Sequence, residues 1–498
     1  MENYEKLVQI IKKVSVYNQA VSLVGWDMET KMPKNAINAR AEVISELSAE
    51  AFEIFTSPET GNILKKIEEK NEYELLNEKE KRIFEMTKRE YYREKKVPAD
   101  IVRNLSKLTS KGQLEWQEAK EKKDFGIFEE TLEKLVEITI KMADIYGYEE
   151  NRYDALLDLY EKGLTVKKLD KIIDTFKEEL VGIIEKIKKS EKRNYDFMHK
   201  NYDIKLQEDL SYDILKDIYF DLDSGRLDVS IHPFTTKIGP DDVRITTRFR
   251  EEDFTDSLYS TIHEAGHALY EQGISKEYEF TPLDTGASMA IHESQSRFWE
   301  NIIGRSQSFV KYLLPKMQQY FSEFDNVNSD EFYKAINIVK PSLIRVDADE
   351  VTYNIHIMIR YEIERDLING KIKVKDLPSV WNSKVKEYLG IIPENDSEGV
   401  LQDVHWAHAS FGYFPSYMLG NLYSAQIYYT MKKDITDFDY LVEKGEFKPI
   451  VNWLRENIHN YGSMYDPSDL IVKITGENLN SQYFMRYIKE KYSEIYKI

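Results

Sequence analysis

No proline stands between Pro98 and Pro233. Proline removes a backbone donor and breaks helix interiors, so this stretch is free to run as helix after helix. The apolar spacing demands that it does. In "FEETLEKLVEITIKMADIYGYEE" and "LDKIIDTFKEELVGIIEKIKKS" the apolar residues recur at three and four, the period of one helix face. Lys and Glu fill the remaining positions as solvated surface. The first 220 residues therefore read as helical.

The pattern breaks at residues 228–249, "DVSIHPFTTKIGPDDVRITTRF". The β-rich pieces "VSIHPFT" and "DVRITTRF" flank "KIGPDD", a Gly-Pro turn signal, which predicts a β-hairpin. Helical period resumes near Thr255 and again in "MAIHESQSRFWENIIGRS", with further helices expected over 307–323, 330–340, 347–369 and 376–389. There is no repeat and no long Ser/Gly-rich linker. At 498 residues length alone suggests two to four domains, yet one large, mostly α unit with a small sheet is the simplest account. Its residues 1–220 would be the N-terminal helices and 221–498 the part with the hairpin.

Charge and composition narrow the function. With 69 basic against 88 acidic residues the net charge is −19, which argues against nucleic acid as main partner. There is no cysteine, so disulfides and thiolate ligands are excluded, and a reducing cytoplasm is the expected compartment. The start carries charges through its apolar positions and reads as no signal peptide. The segment from Val404 to Met431 lacks Asp, Glu, Lys and Arg, but His405, His408, Pro415, Asn421 and Gln426 make it a poor membrane span and a good buried segment.

Chemistry concentrates in "LYSTIHEAGHALYEQG", residues 258–273. His263 and His267 lie on one helix face, where two imidazoles can grip one cation. Glu264, about 100° around the helix, is placed to reach a water on the metal: the H-E-x-x-H arrangement of zinc peptidases. Gly266 costs a helix about 1 kcal/mol against alanine; either a close backbone approach or simple tolerance explains it. A catalytic zinc wants a third protein ligand and one open position. "AIHESQSRFWE" offers Glu293 after a loop and a helix start, with His292 pointing about 100° away. Two histidines and one glutamate is a known catalytic set, which selects Glu293. Histidines crowd this part of the chain: seven of nine lie between His232 and His408, with only His199 and His459 outside, which suggests a polar cleft.

The chain resembles the carboxypeptidase Taq, or thermostable metallocarboxypeptidase, family. The likeness extends over "WDMETKMP" (Trp26–Pro33), "HPF" (His232–Phe234), "DVRIT" (Asp242–Thr246), "HEAGH", "HESQSR" (His292–Arg297), "IRVDADEVTYNIH" (Ile344–His356), "GVLQDVHW" (Gly399–Trp406) and "GYFPSYMLGNLYSAQ" (Gly412–Gln426), in the family's order. The resemblance implies a mainly α, single-domain fold with a deep active-site groove and a small antiparallel sheet, like neurolysin-type zinc peptidases. It also implies a homodimer and removal of C-terminal residues from peptides with broad specificity. It makes His263, His267 and Glu293 the metal ligands, Glu264 the catalytic glutamate, Arg345 and His405 substrate-binding, and His232 and Arg244 part of motifs that limit substrate length.

The chemistry of such a site sets further expectations. Zinc would polarise the scissile carbonyl while Glu264 takes the water's proton; cobalt or manganese suits the same ligands. The oxyanion needs a second stabiliser, for which Tyr413, Tyr417 and His405 are candidates. Recognising a free C-terminal carboxylate suits an arginine fork, with Arg345 first and Arg244 second; the ordinary alternative is ion pairing, Arg345 with Asp347, Asp349 or Glu350 and Arg244 with Asp241 or Asp242. Asp347, Asp349 and Glu350 could also orient the metal histidines. The hairpin edge can accept a peptide as an added strand, and Trp26 reads as a core aromatic at a groove wall. Two other functions compete: an oligopeptidase cutting internal bonds, and a helical peptide-binding scaffold without a working metal.

Overall fold

The computed structural model describes residues 1–190 and 193–498. Helices dominate it, and their ends obey local chemistry. Helices α1 (Glu2–Thr30) and α2 (Ile37–Phe55) form an antiparallel pair at the N-terminus, and α3 (Ala99–Lys122) packs on α4 (Gly126–Tyr146). Three strands follow: β1 (Gly225–Val229), β2 (Thr235–Gly239) and β3 (Asp242–Thr247). After them come α5 (Phe254–Gly273), α6 (Met289–Arg297), α7 (Glu350–Ile368) and α8 (Pro415–Asp434). Asp253, Ser288 and Asp349 cap the first turns of α5, α6 and α7 with side-chain oxygens, and Pro415 opens α8 at the position where its missing N–H costs nothing.

The expected hairpin is present as β2 and β3, antiparallel across Pro240–Asp241, but the sheet is not purely antiparallel. Its order is β1-β3-β2, with β1 parallel to β3 and β2 antiparallel to it, so the sheet is mixed. The turn is Pro240–Asp241, and Lys237–Gly239 belongs to a strand. Residues 230–234 are a link, because Pro233 has no N–H for a ladder; the Phe234 N–H goes instead to the Thr246 hydroxyl at 2.9 Å. The remaining helices begin close to where periodicity put them: 307–320, 329–335, 350–368 and 377–389. The second stops five residues early, where Asn337 turns its amide onto the Tyr333 and Arg305 carbonyls.

One continuous apolar core runs from Tyr4 to Tyr496 and takes in most of α5 to α8. The segment 404–431 is largely buried within it, and no helix among the described residues is long and apolar enough to cross a membrane. Trp26 of α1 is buried under the guanidinium groups of Arg226 (5.1 Å) and Arg244 (4.3 Å), which docks α1 against the sheet.

Candidate metal centre

Helix α5 presents His263 and His267 on one face, ring centroids 5.0 Å apart. Helix α6 lies against it and brings in Glu293, whose Oε2 is 3.8 Å from His263 Nε2 and 3.4 Å from His267 Nε2. One ligand atom from each of the three falls within 4.8 Å of the others. Two glycines make this closeness possible. A Cβ on Gly266 would stand 2.6 Å from Ser296 Cα and 2.7 Å from the Gln295 carbonyl, so α5 touches α6 backbone to backbone. A Cβ on Gly420 of α8 would lie 2.7 Å from Glu293 Cβ on the other side. The close-approach explanation of Gly266 is the one the structure supports.

The inner ring atoms of both histidines are engaged from behind. His263 Nδ1 meets Glu300 Oε2 at 2.8 Å. His267 Nδ1 meets His292 Nδ1 at 2.6 Å, and His292 Nε2 meets Glu271 Oε1 at 2.7 Å. With Nδ1–H of His263 donated to a carboxylate, its Nε2 lone pair faces Glu293. Arg297 joins Glu293 Oε1 (2.7 Å) to Glu300 Oε2 (3.0 Å). Burial opposes charge on Glu293, but Arg297 and the two histidines hold its carboxyl well below the usual range. Burial lowers His267, which reaches about 4 despite Glu293 beside it. Glu264 is buried, which pushes its pKa up; the Thr235 hydroxyl donates to its Oε2 at 2.6 Å and works the other way. Two imidazole Nε2 atoms and one ionised carboxylate, with Nδ1 atoms already paired, fit a divalent cation of the zinc, cobalt or manganese type.

A second cluster adjoins this one through Tyr353, whose ring sits 4.5 Å from the Arg297 guanidinium and whose hydroxyl accepts from Arg345 Nη1 at 3.0 Å. Around Arg345 gather Tyr417, with its ring 5.0 Å from the guanidinium, and His405, whose Nε2 is 3.4 Å from the Tyr417 hydroxyl. Tyr413 packs edge-on against Tyr417, centroids 5.2 Å apart. Burial pushes the Tyr413 phenol up to about 12 and the Tyr417 phenol well above its ordinary value, so both stay protonated. Burial brings His405 down to about 4, leaving it neutral, and its Nδ1 has no partner among the described residues.

Arg345, His405, Tyr413 and Tyr417 thus meet beside the metal residues. Arg244 does not join them: its Nε and Nη2 donate to Asp242, each at 2.7 Å, and it stacks on Trp26. His232 stands exposed on the 230–234 link. Of the crowded histidines, His263, His267, His292, His356 and His405 are buried or half-buried, whereas His232 and His408 are exposed. Arg345 is ion-paired, but to Asp403 and to none of Asp347, Asp349 or Glu350. Nor do those three support the histidines. Asp349 caps α7, Glu350 pairs with Lys491 at 2.7 Å, and Asp347 is exposed. Glu300 and His292 take that place. Glu293, Arg297 and Glu300, at i, i+4 and i+7 on one face, carried a helical signal that could have found Glu300; Thr235, Asp403 and Arg360 carried none.

Known proteins resemble this chain over nearly its whole length. The carboxypeptidase Taq (M32) metallopeptidase family model matches residues 6–492. Carboxypeptidase 1 of Bacillus subtilis is 44% identical over all of this chain and 99% of its own length. Thermostable carboxypeptidase 1 of Pyrococcus furiosus is 43% identical, covering 99% of this chain and 98% of its own. The crystal structure of the M32 carboxypeptidase of Deinococcus radiodurans superposes with a TM-score of 0.97 at 32% identity over 100% of both chains. The chain belongs to the carboxypeptidase Taq (M32) family of metallopeptidases. It is accordingly a metal-dependent carboxypeptidase, a hydrolase acting on peptides.

Proposed function

We propose that the protein releases single residues from the free C-termini of peptides of varied sequence, using one divalent cation, zinc first among the candidates. His263, His267 and Glu293 hold the ion and Glu264 is the general base. The observation that carries this is the convergence of three ligand atoms within 4.8 Å beside a buried fourth carboxyl. When bound, the cation polarises the scissile carbonyl and lowers the pKa of a water towards 7. Glu264 accepts the attacking water's proton and delivers it to the departing amine. Thr235 holds one of its oxygens and fixes the carboxyl for that exchange. Tyr413 and Tyr417, protonated by burial, donate to the developing oxyanion. Arg345 holds the terminal carboxylate, with neutral His405 beside it.

Glu264→Gln tests the base. Turnover should fall by several orders of magnitude while one metal per chain remains bound, measured by elemental analysis; retained activity sinks the assignment. Product analysis tests the exopeptidase reading. Stepwise loss of C-terminal residues supports it, and equal cutting of a C-terminally amidated peptide overturns it in favour of an oligopeptidase.

A further inference from the structure

Arg345 is held in a way that ought to silence it. Its Nε and Nη2 both donate to Asp403 Oδ1, at 3.0 and 2.9 Å. A buried arginine closed onto one carboxylate is neutral as a pair and has little left to offer an anion. Here the carboxylate is shared. Arg360 of α7, 0% exposed, places Nε and Nη2 on the other oxygen, Asp403 Oδ2, at 2.7 and 2.6 Å. Gln402 Oε1 ties the two arginines again, accepting from the Arg345 backbone N–H at 2.9 Å and from Arg360 Nη2 at 2.7 Å. The Arg360 Nη1 donates to the His356 carbonyl at 2.7 Å.

Two guanidinium groups on one carboxylate leave one net positive charge, and the surroundings do not cancel it. Glu364, one turn along α7, accepts from Tyr153, Trp406 and Gly412 and from neither arginine. His356 and His405 are kept neutral by burial, at about 3 and about 4. Lys120, bonded to the Gln402 carbonyl at 3.1 Å, adds positive charge. Arg360 has four of its five donors directed at protein groups. Arg345 has three of its five donors so directed and sits against His405, whose buried Nδ1 is unpartnered. An uncompensated buried charge is costly, and an anionic ligand at Arg345 relieves it.

We propose that Arg360 is a positioning residue for substrate: by occupying the second oxygen of Asp403 it leaves the cluster with one net positive charge, so that Arg345 stays available to the terminal carboxylate of the peptide. The inference rests on the reading of Arg345 as the carboxylate anchor. Arg360 itself touches no substrate.

The test is a charge-balance cycle in the full-length metal-loaded enzyme, with KM and kcat measured on an N-acylated dipeptide with a free C-terminus. Arg360→Met should raise KM by about tenfold to a hundredfold, the scale of one charge-assisted bond, with kcat changing far less. Arg360→Lys should fall between. Arg360→Met combined with Asp403→Asn restores the net charge by removing both partners, and KM should return to within a few-fold of the parent. A merely structural role predicts the opposite, since the double variant loses more contacts than either single one. The proposal is overturned if Arg360→Met leaves KM unchanged, or if the double variant, folded by its melting curve, shows no recovery. Should Arg360→Met fail to fold, Arg360→Lys and the double variant decide the matter alone. Arg345→Gln separates the two layers: an unchanged KM there removes the anchor reading and this inference with it, while a raised KM beside an indifferent Arg360→Met removes this inference only.

Discussion

Replacing Gly266 with alanine puts a methyl group where α5 and α6 touch. The new Cβ would stand 2.6 Å from Ser296 Cα, against the 3.4 Å at which ordinary contact begins, so the helices must part by about 0.8 Å. The obstacle is backbone, which has no rotamer to give. Ser296 lies within one turn of Glu293, so the carboxylate moves with it on the same scale. Metal–ligand distances tolerate about 0.2 Å. Overpacking of this kind costs about 1–3 kcal/mol, and alanine returns about 1 kcal/mol of helix propensity; the net loss of stability is therefore about 2 kcal/mol at most. Affinity for metal should suffer more, by about 10- to 100-fold, the scale seen when ligand placement is disturbed. Calorimetric titration of metal-stripped protein with zinc or cobalt measures the affinity, and the melting temperature follows the stability. Unchanged metal affinity together with a raised melting temperature would refute the account of Gly266 as a spacer between the two ligand helices.

The same packing sets other expectations. His292→Ala removes the partner of His267 Nδ1 and should weaken metal binding about 10- to 100-fold; a wild-type titration curve would deny His292 any orienting part. Glu350 and Lys491 form a buried pair at 2.7 Å, so Glu350→Ala should lower unfolding free energy by about 3–5 kcal/mol, and a denaturant midpoint unchanged from the parent would contradict it. Burial pushes the Glu364 carboxyl up to about 7 from its ordinary 4.5, against the pull of its three donors. Between those values the folded state holds a proton that the unfolded chain has released, so stability falls as pH rises from 4.5 to 7 and levels off above, by about 3 kcal/mol. Glu364→Gln should flatten that part of the curve; parallel pH curves for the two proteins would speak against it.

Reading the chain residue by residue recovered what neighbours in sequence decide. The helix period placed His263 and His267 on one face and set most helix starts within a few residues, because capping and apolar spacing act over a turn or two. It also made Trp26 a buried aromatic. It failed where partners are distant. Phe234 bonds to the Thr246 hydroxyl and β1 enters the sheet beside β3, neither of which the Gly-Pro signal at Gly239–Pro240 reveals.

The sequence by itself determined that two helices carry imidazoles and a carboxylate suited to a divalent cation, since side-chain chemistry and 3.6-residue periodicity are local properties. Only the tertiary structure decided how those groups are backed: Glu300 and His292 behind the ring nitrogens, Thr235 on Glu264, and Asp403 divided between Arg345, 58 positions away, and Arg360, 43 positions away. Such pairings depend on which helix faces pack together, and packing is settled by the whole core at once.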